Sequence, residues 1–134
     1  MKYPESFAYF VVDDIREEVG QKITLVGIYA GGNVVLSEKP KEGTTLAIPG
    51  LAIFATFRGG DGQFKLRVNI LGPSGNELHT NTQEVTFSKE KAYTLNVMAF
   101  VRPFVVNEFG TYKIHVFLNE RMYEGTFEIQ TTAD

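Results

Sequence analysis

FKLRVNI, residues 64–70, alternates without a break: Phe64, Leu66, Val68 and Ile70 fall on one side of an extended chain, Lys65, Arg67 and Asn69 on the other. A period of two is the mark of a strand with one face buried and one face wet. TYKIHVFL, 111–118, repeats the pattern, with Tyr112, Ile114, Val116 and Leu118 inward and Lys113, His115 and Phe117 outward. Phe117 is then an apolar group on the polar face. Strands of this kind need a second layer over their apolar side.

The rest of the chain supplies that layer. FAYFVV (7–12), ITLVGIY (23–29), LAIFATF (51–57) and LNVMAFV (95–101) are apolar on both faces and read as central or covered strands. EVTF (84–87) and YEGTFEIQ (123–130) complete the set. Between them stands turn chemistry: AGGN (30–33), EKPKEG (38–43), RGGDGQ (58–63), GPSGN (72–76), SKEKA (88–92), VNEFG (106–110) and LNER (118–121). Turn signals about a dozen residues apart predict an all-β sandwich or barrel. The expectation is a single domain over residues 1–134, an antiparallel two-sheet β-sandwich with about seven to nine strands. Its expected core comprises Phe10, Val12, Ile23, Leu25, Ile28, Ile53 and Phe57 in the first half. In the second it comprises Phe64, Leu66, Val68, Ile70, Leu95, Val97, Tyr112, Ile114, Val116, Phe127 and Ile129. The best helical stretch, DDIREEVG (13–20), is too short to stand without packing.

Bulk composition narrows the function. A chain of 134 residues, 43% hydrophobic and 22% charged, has the make-up of a globular domain and not of a disordered one. Thirteen basic against sixteen acidic residues, with no run of Lys and Arg, argues against a nucleic-acid partner. No apolar run approaches the roughly 20 residues that cross a bilayer as a helix. Without cysteine there is no disulfide, thiolate metal site or cysteine nucleophile. MKYPESFAYFVV lacks the long h-region of a signal peptide, so a cytoplasmic location is expected.

Four carboxylates, Asp13, Asp14, Glu17 and Glu18, crowd six positions. If 7–15 and 22–29 pair antiparallel, Glu17 and Glu18 sit at a solvated hairpin tip beside Arg16 and Lys22, with Gly20 free to take a positive φ. A weak divalent-cation site is the alternative. One of Asp13 and Asp14 is expected to bond backbone amides at the turn. RGGDGQ has the glycines of a phosphate loop but lacks the following Lys-Ser/Thr and leads into a strand. Two histidines, His79 and His115, cannot form a three-ligand zinc site alone, and no nucleophile elbow is present. No catalytic, metal or cofactor residues are assigned, and no cofactor is expected. A hydrolase would require at least two of His79, His115, Asp13, Asp14 and Glu108 to converge.

Apolar side chains that alternation sends outward are the stronger lead. Met98, Phe100, Phe104 and Phe117 are either core residues displaced by bulges or a surface for self-association or a protein partner. Phe104, with Val105 and Val106 after Pro103, stands where a segment bridges two sheets.

FGTYKIHVFLNERMYEGTFEI, 109–129, resembles the last hairpin of immunoglobulin-like sandwiches, with Tyr112 at the place of the corner tyrosine and Ile114 where antibody domains carry a cysteine. Over nearly the whole length, DDIREEVGQKITLVGIY, LAIFATFRG, FKLRVNILGPSG and GTYKIHVFLN in this order resemble a family of short uncharacterised bacterial and phage-associated all-β proteins. That resemblance implies a β-sandwich in a bacterial cytoplasm and no activity. The expected function is a non-enzymatic interaction or assembly module. The alternative is a sandwich that binds carbohydrate or another small ligand on Tyr29, Tyr123 or Phe104.

Overall fold

The computed structural model describes residues 1–37 and 46–132; the predicted turn at 38–43 and the last residues of the TTAD tail lie outside them. Strands carry most of it: β1 (Ser6–Glu18), β2 (Lys22–Ile28), β3 (Asn33–Leu36), β4 (Leu46–Ile48), β5 (Leu51–Arg58) and β6 (Gly62–Leu71). β7 (Glu77–Phe87), β8 (Thr94–Val101), β9 (Phe104–Val106), β10 (Gly110–Leu118) and β11 (Arg121–Thr131) follow. The fold is all-β, as the alternation predicts; DDIREE is the end of β1, Val19 and Gly20 lie in the turn that follows, and no helix forms there.

One sheet has the order β2-β1-β5-β8, a second β3-β11-β10-β6-β7, and β4 pairs with β9 in a third of two strands. Two expectations are corrected here. Pairing is not antiparallel throughout, because β3 runs parallel to β11, with Asn33 opposite Glu128 and Leu36 opposite Thr131. A 3-10 turn at 30–32, with Gly31 and Gly32 both at positive φ, carries the chain from the first sheet to the edge of the second. The strands also outnumber those expected, since short segments such as Phe104–Val106 pair outside the two main sheets.

Inward side chains of both large sheets meet in one apolar cluster. Phe57 of β5 meets Phe87 of β7 edge-on at 6.4 Å and Tyr123 of β11 at 5.0 Å. Ile53, Phe57, Phe64, Leu66, Val68, Ile70, Val97, Tyr112, Ile114, Val116, Phe127 and Ile129 are buried there as expected. Each large apolar side chain removed from water contributes about 1.5–3 kcal/mol. Tyr112 stacks on Phe127 at 5.0 Å, and its hydroxyl donates to the Glu108 carbonyl at 2.6 Å, four residues upstream. Burial pushes that hydroxyl above its ordinary pKa, so it remains a donor.

Tyr9 of β1 ties the two sheets together. Its hydroxyl donates to the Thr126 carbonyl at 3.1 Å and accepts from the Thr126 amide at 3.0 Å. The β3 ladder begins only at Glu128, so the phenol takes the place of a strand partner where that ladder stops. The ring fits because residue 125 is Gly: a Cβ there would stand 2.8 Å from Tyr9 Cε1 and Cζ.

Tyr123 is the opposite case. Its hydroxyl is buried with no hydrogen-bond partner among the described residues. Tyr123→Phe removes only that oxygen, and the unfolding midpoint should stay level or rise by the equivalent of about 1 kcal/mol. Thermal melting followed by circular dichroism checks this; a marked drop would mean that the hydroxyl is satisfied.

The phase of β1 and β2 departs from expectation. Phe10 is 42% exposed and Ile28 53% exposed, while Val11, Tyr9 and Phe7 face the main core instead. FAYFVV is apolar on both sides, so it contains no alternation from which a phase could be read. Val12 is fully buried, but in a second cluster with Ile15 and Ala52, against which Ile23, Leu25, Phe54 and Met98 pack. Phe54 and Met98 are cross-strand partners on the face turned away from Ile53 and Ala99. The β1–β2 hairpin therefore folds back over the outer face of its own sheet, and its turn residue Gln21 comes beside Thr94, Leu95 and Asn96 of β8.

Candidate functional site

The bend of that hairpin is where the two aspartates stand. Val12 and Ile15, three apart, both enter the second cluster, so the strand changes phase between them. The change falls at Asp13, opposite Gly27, which adopts φ +68° and over which the Asp13 carboxylate lies: a Cβ at 27 would be 2.3 Å from Asp13 Oδ2. Asp13 accepts a 2.6 Å hydrogen bond from the Tyr29 hydroxyl. Burial first, then that hydrogen bond and the carboxylate's charge, push the Tyr29 hydroxyl up to about 12, so the phenol stays a neutral donor. Asp14 accepts from the Ile15 amide at 2.9 Å and pairs with Arg102. Arg102 in turn lies over the Phe100 ring, 4.5 Å from its centroid.

An open depression of about 510 Å³ lies here, lined by both aspartates, Tyr29, Arg102 and the Ile48–Gly50 segment. Its polar groups are already paired with one another. Glu17 and Glu18 do not join them: they stand opposite Ile23 and Lys22 at the exposed hairpin end. Among the described residues no three His, Cys, Asp or Glu side chains gather as a metal ion would require. The bond expected from one aspartate to backbone amides reduces to the single Asp14–Ile15 contact.

Of the five residues that a hydrolase would draw together, Asp13 and Asp14 line one depression, and His79, His115 and Glu108 do not line it. His79 stands opposite Ile70 and His115 opposite Asn69, adjacent positions whose side chains point to opposite faces of the second sheet. His115 meets Glu124 at 2.9 Å, and Glu108 accepts from the Ser74 hydroxyl at 2.7 Å. Of the stacking aromatics proposed for a ligand, Tyr29 is held by Asp13, Tyr123 packs edge-on against Phe57, and Phe104 is only 1% exposed.

The four outward apolar residues meet different fates. Phe104 is corrected to the main core, where it contacts Tyr112 at 5.7 Å and Phe127 at 6.1 Å; as part of β9 it points inward from the small sheet. Met98 is corrected to the second cluster, covered by the chain's own hairpin. Phe100 remains 39% exposed beneath Arg102. Phe117 lies on the outer face of the second sheet, with the Arg67 guanidinium over its ring at 4.2 Å and the His115 ring edge-on at 6.2 Å.

Register places Phe117 in a row that sequence alone does not assemble. Thr82 of β7 faces Arg67 of β6, Arg67 faces Phe117 of β10, and Phe117 faces Met122 of β11. Met122 is 45% exposed. Beside this row Lys65 faces Glu84, and His115 pairs with Glu124. The outer face thus has an apolar and cationic centre with charged flanks. Met122 falls one residue before the strand start predicted at 123, which is why alternation misses it.

No protein-family model matches this chain. A search of curated proteins finds no similar sequence. No described helix is long and apolar enough to cross a membrane.

Proposed function

We propose that the chain is an immunoglobulin-like sandwich acting as a non-enzymatic interaction module, in a cytoplasmic protein of bacterial or phage origin, through the outer face of its five-stranded sheet. The fold reading is supported by the Tyr112–Glu108 hydrogen bond, which is the tyrosine corner of such domains. The order β11-β10-β6-β7 also reads as their G-F-C-C′ succession.

The row Arg67–Phe117–Met122 carries the functional reading. Arginine, methionine and aromatic residues are the types enriched where proteins meet, and an arginine stacked on a ring presents both a flat apolar surface and fixed donors. The partner is a second copy or another protein.

Phe117→Glu tests it. The new carboxylate would sit beneath Arg67 on a partly solvated face, so melting should shift by only a few degrees, while association weakens about 30-fold, the equivalent of about 2 kcal/mol at a central contact. Light scattering should find the wild type above 15.0 kDa, or a partner recovered from source cells, and the variant without either. A variant that associates as the wild type does would remove this face from the function.

A further inference from the structure

The second sheet ends at β7, an eleven-residue strand whose far edge pairs with no described strand. Its middle, Thr80–Asn81–Thr82–Gln83–Glu84, is exposed on both faces. Asn81 and Gln83 stand opposite Val68 and Leu66, on the core-side row, and yet are exposed. The first sheet meets β7 toward its end, where Phe87 packs against Phe57, and leaves residues 80–84 exposed. Free edges are ordinarily guarded by lysine, proline, shortness or a cover. β7 contains no Lys, Arg or Pro, and its one bulge falls near its start, at Leu78, outside the 80–84 stretch. By contrast β2 carries Lys22 and a positive-φ Gly27, β3 has four residues, and β8 lies beside the hairpin's turn.

We propose that β7 pairs antiparallel with the β7 of a second copy, centred on Thr82, so that two five-stranded sheets join edge to edge. Strand overlap and charge together favour this occupant and this register. With Thr82 opposite Thr82, the two strands overlap over their full length, the regular stretch 79–85 lies clear of the irregularity at Leu78, Glu84 faces Thr80, and no carboxylate meets another. A parallel in-register pairing would set Glu77 on Glu77 and Glu84 on Glu84. An antiparallel shift to Glu84 would set that carboxylate on itself, and like charges directly opposite are destabilising. The threonine pair at the two-fold is a favourable cross-strand match. The row Thr82–Arg67–Phe117–Met122 then continues through the junction into its symmetry mate.

This inference rests on the association reading above, names the partner as a second copy, and adds a contact at the sheet edge two strands from Phe117, so that Phe117→Glu tests the face and the cysteines test the edge. Because the chain has no cysteine, single cysteines report the register. Paired Cα atoms in an antiparallel ladder are about 4.5–5.5 Å apart, within the span of a disulfide. Thr82→Cys should cross-link to itself under mild oxidation at least about tenfold faster than Thr80→Cys, whose copies would be offset by roughly 13 Å. Thr80→Cys mixed with Glu84→Cys should cross-link, while neither does so alone. A Thr82→Cys rate no greater than that of Thr80→Cys would overturn the proposal. If the wild type nevertheless scatters above 15.0 kDa, copies meet elsewhere and the association reading stands. A wild type at 15.0 kDa that recovers no partner, with no cross-link at any position, would end both.

Discussion

Ile114→Asp should leave no cooperative unfolding transition. Ile114 is fully buried on β10, between Ile70 of β6 and Gly125 of β11. Among the described residues no Lys, Arg or His is buried, so an aspartate there would be unpaired. Such a burial, with loss of the isoleucine's own packing, costs more than about 4–5 kcal/mol, against a typical total stability of about 5–15 kcal/mol. Near-ultraviolet circular dichroism and calorimetry should find the tertiary signal and the melting peak gone. A variant that melts like the wild type would show that Ile114 does not face the core.

Gly125→Val should be the next most damaging change, and its mechanism is different. Nothing is removed; a side chain is added where the Tyr9 ring already lies at 2.8 Å from the new Cβ. Overpacking of that kind costs about 1–3 kcal/mol. Displacing Tyr9 also breaks both of its hydrogen bonds to Thr126, at about 1 kcal/mol each. The melting midpoint should fall by roughly 10 °C or more. The loss belongs to the pair, so in a Tyr9→Ala background Gly125→Val should cost far less. Equal losses in both backgrounds would separate the glycine from the cross-sheet contact.

Residues that alternate strictly were the ones the sequence placed well. Phe64 to Ile70 and Tyr112 to Val116 lie in the core because each polar neighbour on those strands fixes which side is wet. Phe10 is exposed where the core is expected, and Val12 is buried in the second cluster and not the main one, because their strand is apolar on both sides and only the opposing layers decide its phase. β7 was recognised only over 84–87, since Thr80 to Gln83 are polar on both faces and give a hydrophobic period nothing to register. The candidate surface was visible in part. Phe117 stands out as an apolar residue on a polar face, whereas Arg67, Met122 and Thr82 become its neighbours only through strand register.

The four carboxylates near the N-terminus illustrate the same division. Their types and spacing could not distinguish a cation site from a hairpin end. In the fold, Asp13 and Asp14 fasten the bend to Tyr29 and Arg102, residues distant in sequence, while Glu17 and Glu18 stand apart in solvent.

By itself, then, the order of residues determined an all-β chain, its well-alternating strands and most of its buried side chains, because side-chain alternation along an extended backbone is a local property. Tertiary structure alone decided which sheet each strand joins, that the first hairpin folds over Met98 and Phe54, and which strands stand at the sheet edges among the described residues. Those depend on contacts between segments far apart in the chain, where the energy of burial is shared and no single stretch carries the signal.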